Sequence, residues 1–412
     1  MTDIDLLDLD RFQRLEHHEM FTRLREKGAV HWHEPVAPLE RGFWSVVKHA
    51  QVQEASRDAE RFSNERGGVN LRDVDEYPDG GIDSRGVLLT EMDAPKHTRY
   101  RLLVNKGFTP RMVKLLDDVF VRRARAIVDD VIERGGCDFV EDVAAELPLQ
   151  AIADIMGVPQ EDRKKVFDWS NRMIGSDDPD FGGAETGRSA AQELYAYVNQ
   201  LADQRRKEPQ DDIATKLLQA EVDGDHLTEQ EFDSFMLLLS VAGNETTRNT
   251  TSWGMWALMQ HPDQYAALRD DIDGKLDRAI EEMLRWASPV YHFRRTASHD
   301  TELGGVEIQQ DDKVVLWYIS ANRDEDVFTD PFTFDIARTP NEHVVFGGGG
   351  AHYCLGANLA RLELRTIFRE ILERIPDMRV TGEAQILRSN FIGGVKHLPV
   401  SFAPGPRRGL PS

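Results

Sequence analysis

The run FGGGGAHYCLG (346–356) sets Cys354 behind a row of glycines, Gly347 to Gly350, with His352 two residues before it and Gly356 two after. Glycine-rich backbone can wrap closely around a sulfur and turn several N–H groups toward it, which lowers thiolate basicity. The sequence continues as LGANLARLELRTIFREIL, an amphipathic pattern that begins beside the cysteine. A thiolate there would sit at a helix N-terminus, where the dipole also favours negative charge. Metal ligand, nucleophile and redox sensor all suit such a group. The bland alternative is a small buried cysteine in a tight turn.

A second conflict between chemistry and folding lies at AGNETT (242–247), directly after the apolar stretch FMLLLSVAG (235–243). That stretch is apolar on every face, so a helix there should be buried all round. Gly243 forfeits about 1 kcal/mol relative to alanine in a helix interior. A buried Glu245 costs several times more unless it is paired or neutral. Either these residues are kept for a use, or the helix surfaces here and exposes Glu245 and Arg248. The segment taken alone leaves both readings open.

Two weaker patterns carry charge. Glu282 and Arg285, in DRAIEEMLRWASP, stand at i, i+3 and share a helix face, although a solvated ion pair is the ordinary outcome of that spacing. In MDAPKHTRYRLLVNKGFTP (92–110), His97 and Arg101 stand at i, i+4 just after a proline-initiated helix start. Lys96, Arg99, Arg101, Lys106 and Arg111 make this the densest basic stretch, which would ordinarily be a solvated face.

The elements that must position these residues are mostly helical. Apolar spacing predicts helices over 111–134, 143–156, 186–206, 228–260, 273–286 and 357–374. Strand patterns are fewer: 42–48, 301–309, 313–319 and 397–402. Thr228 and Glu231 form a capping box, and His261-Pro262 should end the same helix, leaving about 32 residues and ~48 Å. Helices in a block with small sheets at the periphery imply one mainly α domain over 1–412. No internal repeat or low-complexity linker divides the chain.

The formal net charge of −22 argues against a nucleic-acid binder that works through its overall field. Cys137 and Cys354 cannot build a disulfide framework, which suits a reducing cytoplasm. The start, MTDIDLLDLDRF, lacks the basic region of a signal peptide, and no apolar run is long enough for a membrane anchor.

Taken in order, HxxxR near 100, AGxETT near 245, ExxR near 283 and a glycine-rich cysteine loop near 354 resemble the cytochrome P450 family, over roughly residues 15–405. The resemblance implies that fold, with haem b held between a long central helix and the cysteine loop. It implies Cys354 as the thiolate ligand of the iron, with Phe346, Gly347 and Gly356 in the loop around it. His97, Arg101, Arg295 and His352 match partners of the haem propionates. Glu282, Arg285 and Arg338 look like the family's structural ion cluster. Glu245 and Thr246 match the acid–alcohol pair that delivers protons to dioxygen, and Ala242 and Gly243 would open a groove for it. Phe346 departs from the family pattern, standing eight rather than seven residues before the cysteine.

By family position the pocket draws on 67–90, 171–190, Val241, Ala242, Val290 to Phe293, Phe391 and Ile392. The extended loop, with VAGNETTRN, is similar to bacterial members that oxidise sterol side chains, methyl-branched lipids and terpenoids. The expected activity is hydroxylation of an unactivated C–H bond in such a molecule by a cytoplasmic monomer. No flavin or nicotinamide fingerprint follows a strand, so NAD(P)H electrons would arrive through a ferredoxin reductase and a ferredoxin. The ferredoxin would dock near the 96–111 cations and Arg361. Rival readings are a non-catalytic haem-thiolate binding or sensing protein, a cysteine hydrolase, and a peroxide-driven variant. The acid–alcohol pair argues against the first and last, and Cys354 with His352 is poor nucleophile–base geometry.

Overall fold

The computed structural model describes residues 4–76, 83–105, 110–175, 177–221 and 224–409. Its centre is the helix Glu229–Gln260, 32 residues long. Both halves of its capping box form: Glu231 N–H donates to Thr228 Oγ1 at 3.2 Å, and Thr228 N–H to the Glu231 carboxylate at 2.9 Å. His261 caps the far end, and Pro262 opens the next helix, Pro262–Asp270, at a position where its missing N–H costs nothing. This long helix packs against Glu146–Met156, Arg163–Ile174, Ile272–Ala287 and Ala357–Arg374. Two apolar clusters meet along it, one around Met255, Leu258 and Phe368, the other around Phe232, Phe235 and Met236.

The other expected helices appear as Pro110–Ile132, Glu146–Met156, Ala184–Lys207, Ile272–Ala287 and Ala357–Arg374. The one from 143 starts later, because Val140–Ala144 winds as a π-turn. Short helices such as His17–Arg25, His49–Arg57 and Arg163–Ile174 add to the set.

A five-stranded sheet runs in the order Val30–His33, Phe43–Val46, Lys313–Trp317, His292–Ala297, Phe62–Ser63. Phe43–Val46 pairs parallel with Lys313–Trp317, and the remaining pairs are antiparallel. KVVLW is buried along its whole length. Val315 and Trp317 pack into the cluster around Phe12 and Phe21, whereas Val314 and Leu316 pack around Phe62, so neither face meets water. The run 301–309 is not one strand. Gly304 and Gly305, at φ +60° and +80°, fold it into the hairpin Thr301–Leu303 and Val306–Ile308. Pro399–Ser401 joins Gly136–Asp138 and Arg379–Val380 in a third, small sheet. The architecture is mainly α with small separate sheets.

Candidate active site

One face of the long helix forms a wall of an interior cavity. Phe235, Leu238, Leu239, Ala242, Gly243, Thr246, Thr247 and Thr250 line it, a stripe of residues related by i, i+3 and i+4. Ala242 therefore shows exposed surface in the middle of a buried helix. The same cavity is bounded by Phe346, Gly347 and the segment His352 to Gly356. Cys354 also has exposed surface, and it is cavity wall rather than outer surface, because burial raises the thiol above its ordinary range. The Gly356 N–H, Arg101 and Arg361 act in the opposite direction and do not outweigh it. Donation from many loop N–H groups was the expectation; among the described residues Gly356 supplies it.

The glycines answer a different need. Gly347, Gly348, Gly349 and Gly350 lie at φ +100°, +69°, +107° and +79°, where an L side chain is strained. A Cβ on Gly350 would also stand 2.4 Å from the Ser56 carbonyl oxygen. Phe346 still lines the cavity, and its carbonyl accepts from Cys354 N–H at 3.0 Å. Arg361 lies over the Phe346 ring, 4.5 Å from its centroid.

At one end the walls turn cationic. His97, Arg101, Arg295 and His352 all line the cavity, and the two imidazoles stack with centroids 4.1 Å apart. His97 Nε2 is buried without a hydrogen-bond partner. Arg101 Nη2 donates to Tyr353 O at 2.5 Å, and Arg295 Nη1 to Arg294 O at 2.9 Å. His352 is pushed down to about 2, chiefly by burial and then by Arg295, His97 and Arg101. Two guanidinium groups in an apolar enclosure, beside two imidazoles pushed to their neutral form, call for an anion. A flat apolar group carrying carboxylates at one edge, with a metal within reach of a thiolate, fits these residues.

Helical phase moves other expected residues off the site. Val241 and Glu245 share a face that turns away from the cavity, and neither lines it. Glu245 is buried, bound to Arg248, and raised by burial despite that partner. Arg248 in turn donates to Asn171 Oδ1 at 2.7 Å, so neither residue is solvated. Thr246 does face the cavity, and its hydroxyl donates to Ala242 O at 2.7 Å. Gly243 reaches the cavity too, and the place of its absent Cβ lies 2.3 Å from Ile152 Cδ1, so any side chain there would displace the end of Ile152.

Val290 and Phe293 line the cavity, whereas Phe391 and Ile392 stand behind it. Ile392 is buried in a β-bridge with Val290, and Phe391 packs on Phe293 with centroids 5.9 Å apart. From 67–90 the described lining residues are Leu89 and Thr90; residues 77–82 lie outside the described set, as does Ser176. None of the described residues of 171–190 reaches the wall. Asn64, Ile152, Leu284, Tyr318 and Glu363 do, and were not singled out from the sequence. Glu363 left a trace there: it interrupts the apolar stripe of the helix after the cysteine.

Glu282 and Arg285 are not a solvated pair. Both side chains are fully buried, with Arg285 Nη2 at 2.7 Å and Nε at 2.8 Å from the carboxylate oxygens. Arg338 Nε reaches the same carboxylate at 3.1 Å, and Arg285 also donates to Asn322 O and Pro331 O at 2.9 Å. The cluster therefore ties the helix Ile272–Ala287 to the segment leading into the cysteine loop. The basic stretch is less free than its composition implies. Arg99 is held by Asp225 and Glu231, Lys96 by Gly86 O, and Arg361 by a bidentate pair with Glu281 at 2.7 and 2.8 Å. Lys106 and the side chain of Arg111 lie outside the described residues.

The family model for cytochrome P450 matches residues 136–376, more than half of the chain. This chain belongs to the cytochrome P450 family. A steroid C26-monooxygenase of Rhodococcus jostii is 44% identical over 402 residues, covering 97% of this chain and 84% of that protein. A methyl-branched lipid omega-hydroxylase of Mycobacterium tuberculosis is 42% identical over 373 residues, covering 88% and 84%. A Mycobacterium marinum cytochrome P450 solved in complex with pseudoionone superposes with a TM-score of 0.91 at 38% identity, covering 97% and 98%.

The fold is thus the P450 fold, haem b is the cofactor, and the chain is a P450 monooxygenase, an oxidoreductase that takes O2 and a hydrophobic substrate. A non-catalytic haem-binding protein is not favoured beside relatives of this kind. Among the described residues no helix is long and apolar enough to cross a membrane.

Proposed function

We propose that this P450 hydroxylates an unactivated C–H bond at the end of a sterol side chain or of another methyl-branched, lipid-like molecule. Supporting this reading, the cavity wall away from the cations is formed by Leu89, Ile152, Phe235, Leu238, Leu239, Val290 and Phe293, an apolar lining suited to a lipid chain. The curated relatives act on steroids and methyl-branched lipids, and they are more than two-fifths identical over most of the chain. The site is assigned on one observation: a single cavity is bounded both by Cys354 and by the Ala242–Thr246 stripe of the long helix.

In this reading Cys354 gives its thiolate to the haem iron, and the Phe346–Gly356 loop shields it. Arg101, Arg295, His97 and His352 hold the propionates, which supply the anionic charge that their end of the cavity lacks. Haem, when bound, supplies the activation of dioxygen. The chain supplies the rest. Its apolar wall excludes water and orients the substrate. The Thr246 hydroxyl, anchored by its hydrogen on Ala242 O, presents an acceptor oxygen at the cavity surface. Glu245 lies one residue away and faces Arg248, so its part in proton delivery requires that pair to open. Glu282, Arg285 and Arg338 keep the approach to the cysteine loop rigid.

The chain acts as a single-domain cytoplasmic monomer and receives electrons from NAD(P)H through a ferredoxin reductase and a ferredoxin. The donor docks on the cysteine side, where Leu102 and Tyr353 are exposed. Absorption spectroscopy tests the core of this proposal. The ferrous protein with carbon monoxide should show the red-shifted Soret band of thiolate ligation, and Cys354→Ala should lose it. Protein that neither binds nor can be reconstituted with haem would refute the assignment. A panel of sterols, methyl-branched fatty acids and monoterpenoids, titrated for a low- to high-spin change, should respond most strongly to the first two classes.

A further inference from the structure

Asp138, Glu141 and His397 take no part in the cavity lining, yet their side chains converge on one another. Asp138 ends the strand Gly136–Asp138, Glu141 is exposed on the π-turn Val140–Ala144, and His397 ends the strand Val395–His397. One donor atom from each lies within 4.8 Å of the other two. His397 Nδ1 stands 2.7 Å from Asp138 Oδ2 and 3.8 Å from Glu141 Oε1. Donors bound at ~2.1 Å to a tetrahedral Zn2+ are roughly 3.4 Å apart, which falls between those two separations.

The two carboxylates are short of positive charge. Among the described residues neither has a lysine or arginine partner, and Arg134 is taken by Asp142 at 3.1 Å. A proton on His397 would supply one charge against two; a divalent cation supplies both. Contacts around the cluster hold the donors in place. Asp138 Oδ1 accepts from Val140 N–H at 3.0 Å and from Leu398 N–H at 3.2 Å, which leaves Oδ2 to face the imidazole. Asp138 N–H donates to Asp142 Oδ2 at 3.1 Å. Hydrogen bonds of this kind orient a ligating carboxylate before any ion arrives. The wide turn of Val140–Ala144 presents Glu141 beside it.

We infer that Asp138, Glu141 and His397 bind a first-row divalent cation, Zn2+ above all, with water completing its shell. One imidazole with two carboxylates suits Zn2+ better than Mg2+ or Ca2+, which take oxygen donors. His397 binds through Nδ1, its proton remaining on Nε2. The strand Val395–His397 pairs with Gln385–Ile386. The connection between them carries Phe391 and Ile392, which stand behind Phe293 and Val290. The ion therefore staples the base of this hairpin to a strand and a turn some 260 residues earlier (His397 to Asp138 is 259 positions) and steadies the segment that backs the cavity. The inference depends neither on the haem nor on which lipid is oxidised.

Equilibrium dialysis of the tag-free, haem-loaded, full-length protein against buffered micromolar Zn2+ at neutral pH reads occupancy directly. Wild type should retain one Zn2+ per chain. Glu141→Gln and His397→Ala should each weaken retention at least about tenfold. Zn2+ should also raise the melting temperature of wild type by a few degrees and leave both variants unmoved. Mg2+ at the same concentration should do neither. Both variants should keep the carbon monoxide spectrum of wild type, because neither residue lines the cavity. Wild type that retains no Zn2+, with a proton on His397 as the sole counter-charge, overturns the inference. So does retention equal to wild type in both variants. If His397→Ala melts markedly lower without metal, Glu141→Gln decides, because Glu141 is exposed: lost retention supports the site, and unchanged retention overturns it.

Discussion

Thr246 and Glu245 are neighbours in sequence and lie on different sides of one helix. A residue turns by about 100° from the next, so the hydroxyl faces the cavity while the carboxyl faces Arg248 and, beyond it, Asn171. The Thr246 hydroxyl already spends its hydrogen on Ala242 O, leaving lone pairs free for a donor in the cavity. Thr246→Ala should therefore leave haem binding intact, change stability by less than about 1 kcal/mol, and release several times more peroxide per NADH. A peroxide assay beside a thermal melt checks both halves. Cys354, Thr246, His97, Arg101, Arg295 and His352, far apart in sequence and named there by motif, line one cavity. Val241 and Glu245 do not line it, because a motif gives residue types without helical phase. Glu363 went unremarked because glutamates on a surface-like amphipathic helix are common, and its burial depends on a helix more than a hundred residues earlier.

At the level of elements, the cysteine loop is governed by handedness and close approach. Gly350 has φ +79° and a Cβ position that meets main-chain atoms of Ser56 and Arg57, which cannot rotate away. Gly356 has φ −86° and open space around its Cβ position. Gly350→Ala should cost at least ~2 kcal/mol from strain and overpacking. Gly356→Ala should cost under about 1 kcal/mol, the ordinary N-cap difference. Denaturant melts of the two haem-loaded variants measure the contrast. The long helix was legible to within a residue at both ends because a capping box and a proline mark them. The hairpin at 301–308 was read as a strand although its glycine pair signalled the turn. Short helices such as Leu9–Gln13 span too few residues to show a periodicity that tells them from loops. Tertiary packing stabilises them more than local propensity does.

On the scale of the whole molecule, partly buried ion pairs make stability depend on pH in a definite direction. Burial alone would raise Glu281, but Arg361 and His343 prevail and hold it at about 2, below the ordinary 4.5. The unfolded chain then binds more protons than the folded one between those values. This contribution is present above about 4.5 and is lost as pH falls toward 2. Wild type should melt higher than Glu281→Gln near neutral pH, with the gap closing on acidification; a gap that widened would contradict the pairing. The net charge of −22 was legible at once, but not that the described cations of the basic stretch are mostly tied to carboxylates and carbonyls.

The parallel pairing of Phe43–Val46 with Lys313–Trp317 joins segments about 270 residues apart. At ribosomal rates of roughly 5–20 residues per second, the early strand waits some tens of seconds for its mate. Throughout that interval its ladder edge and the apolar side chains behind it are open to other nascent chains. Fragments released before the later strand emerges should therefore be the species that chaperones must hold, and their yield should respond to chaperone supply far more than that of the finished protein.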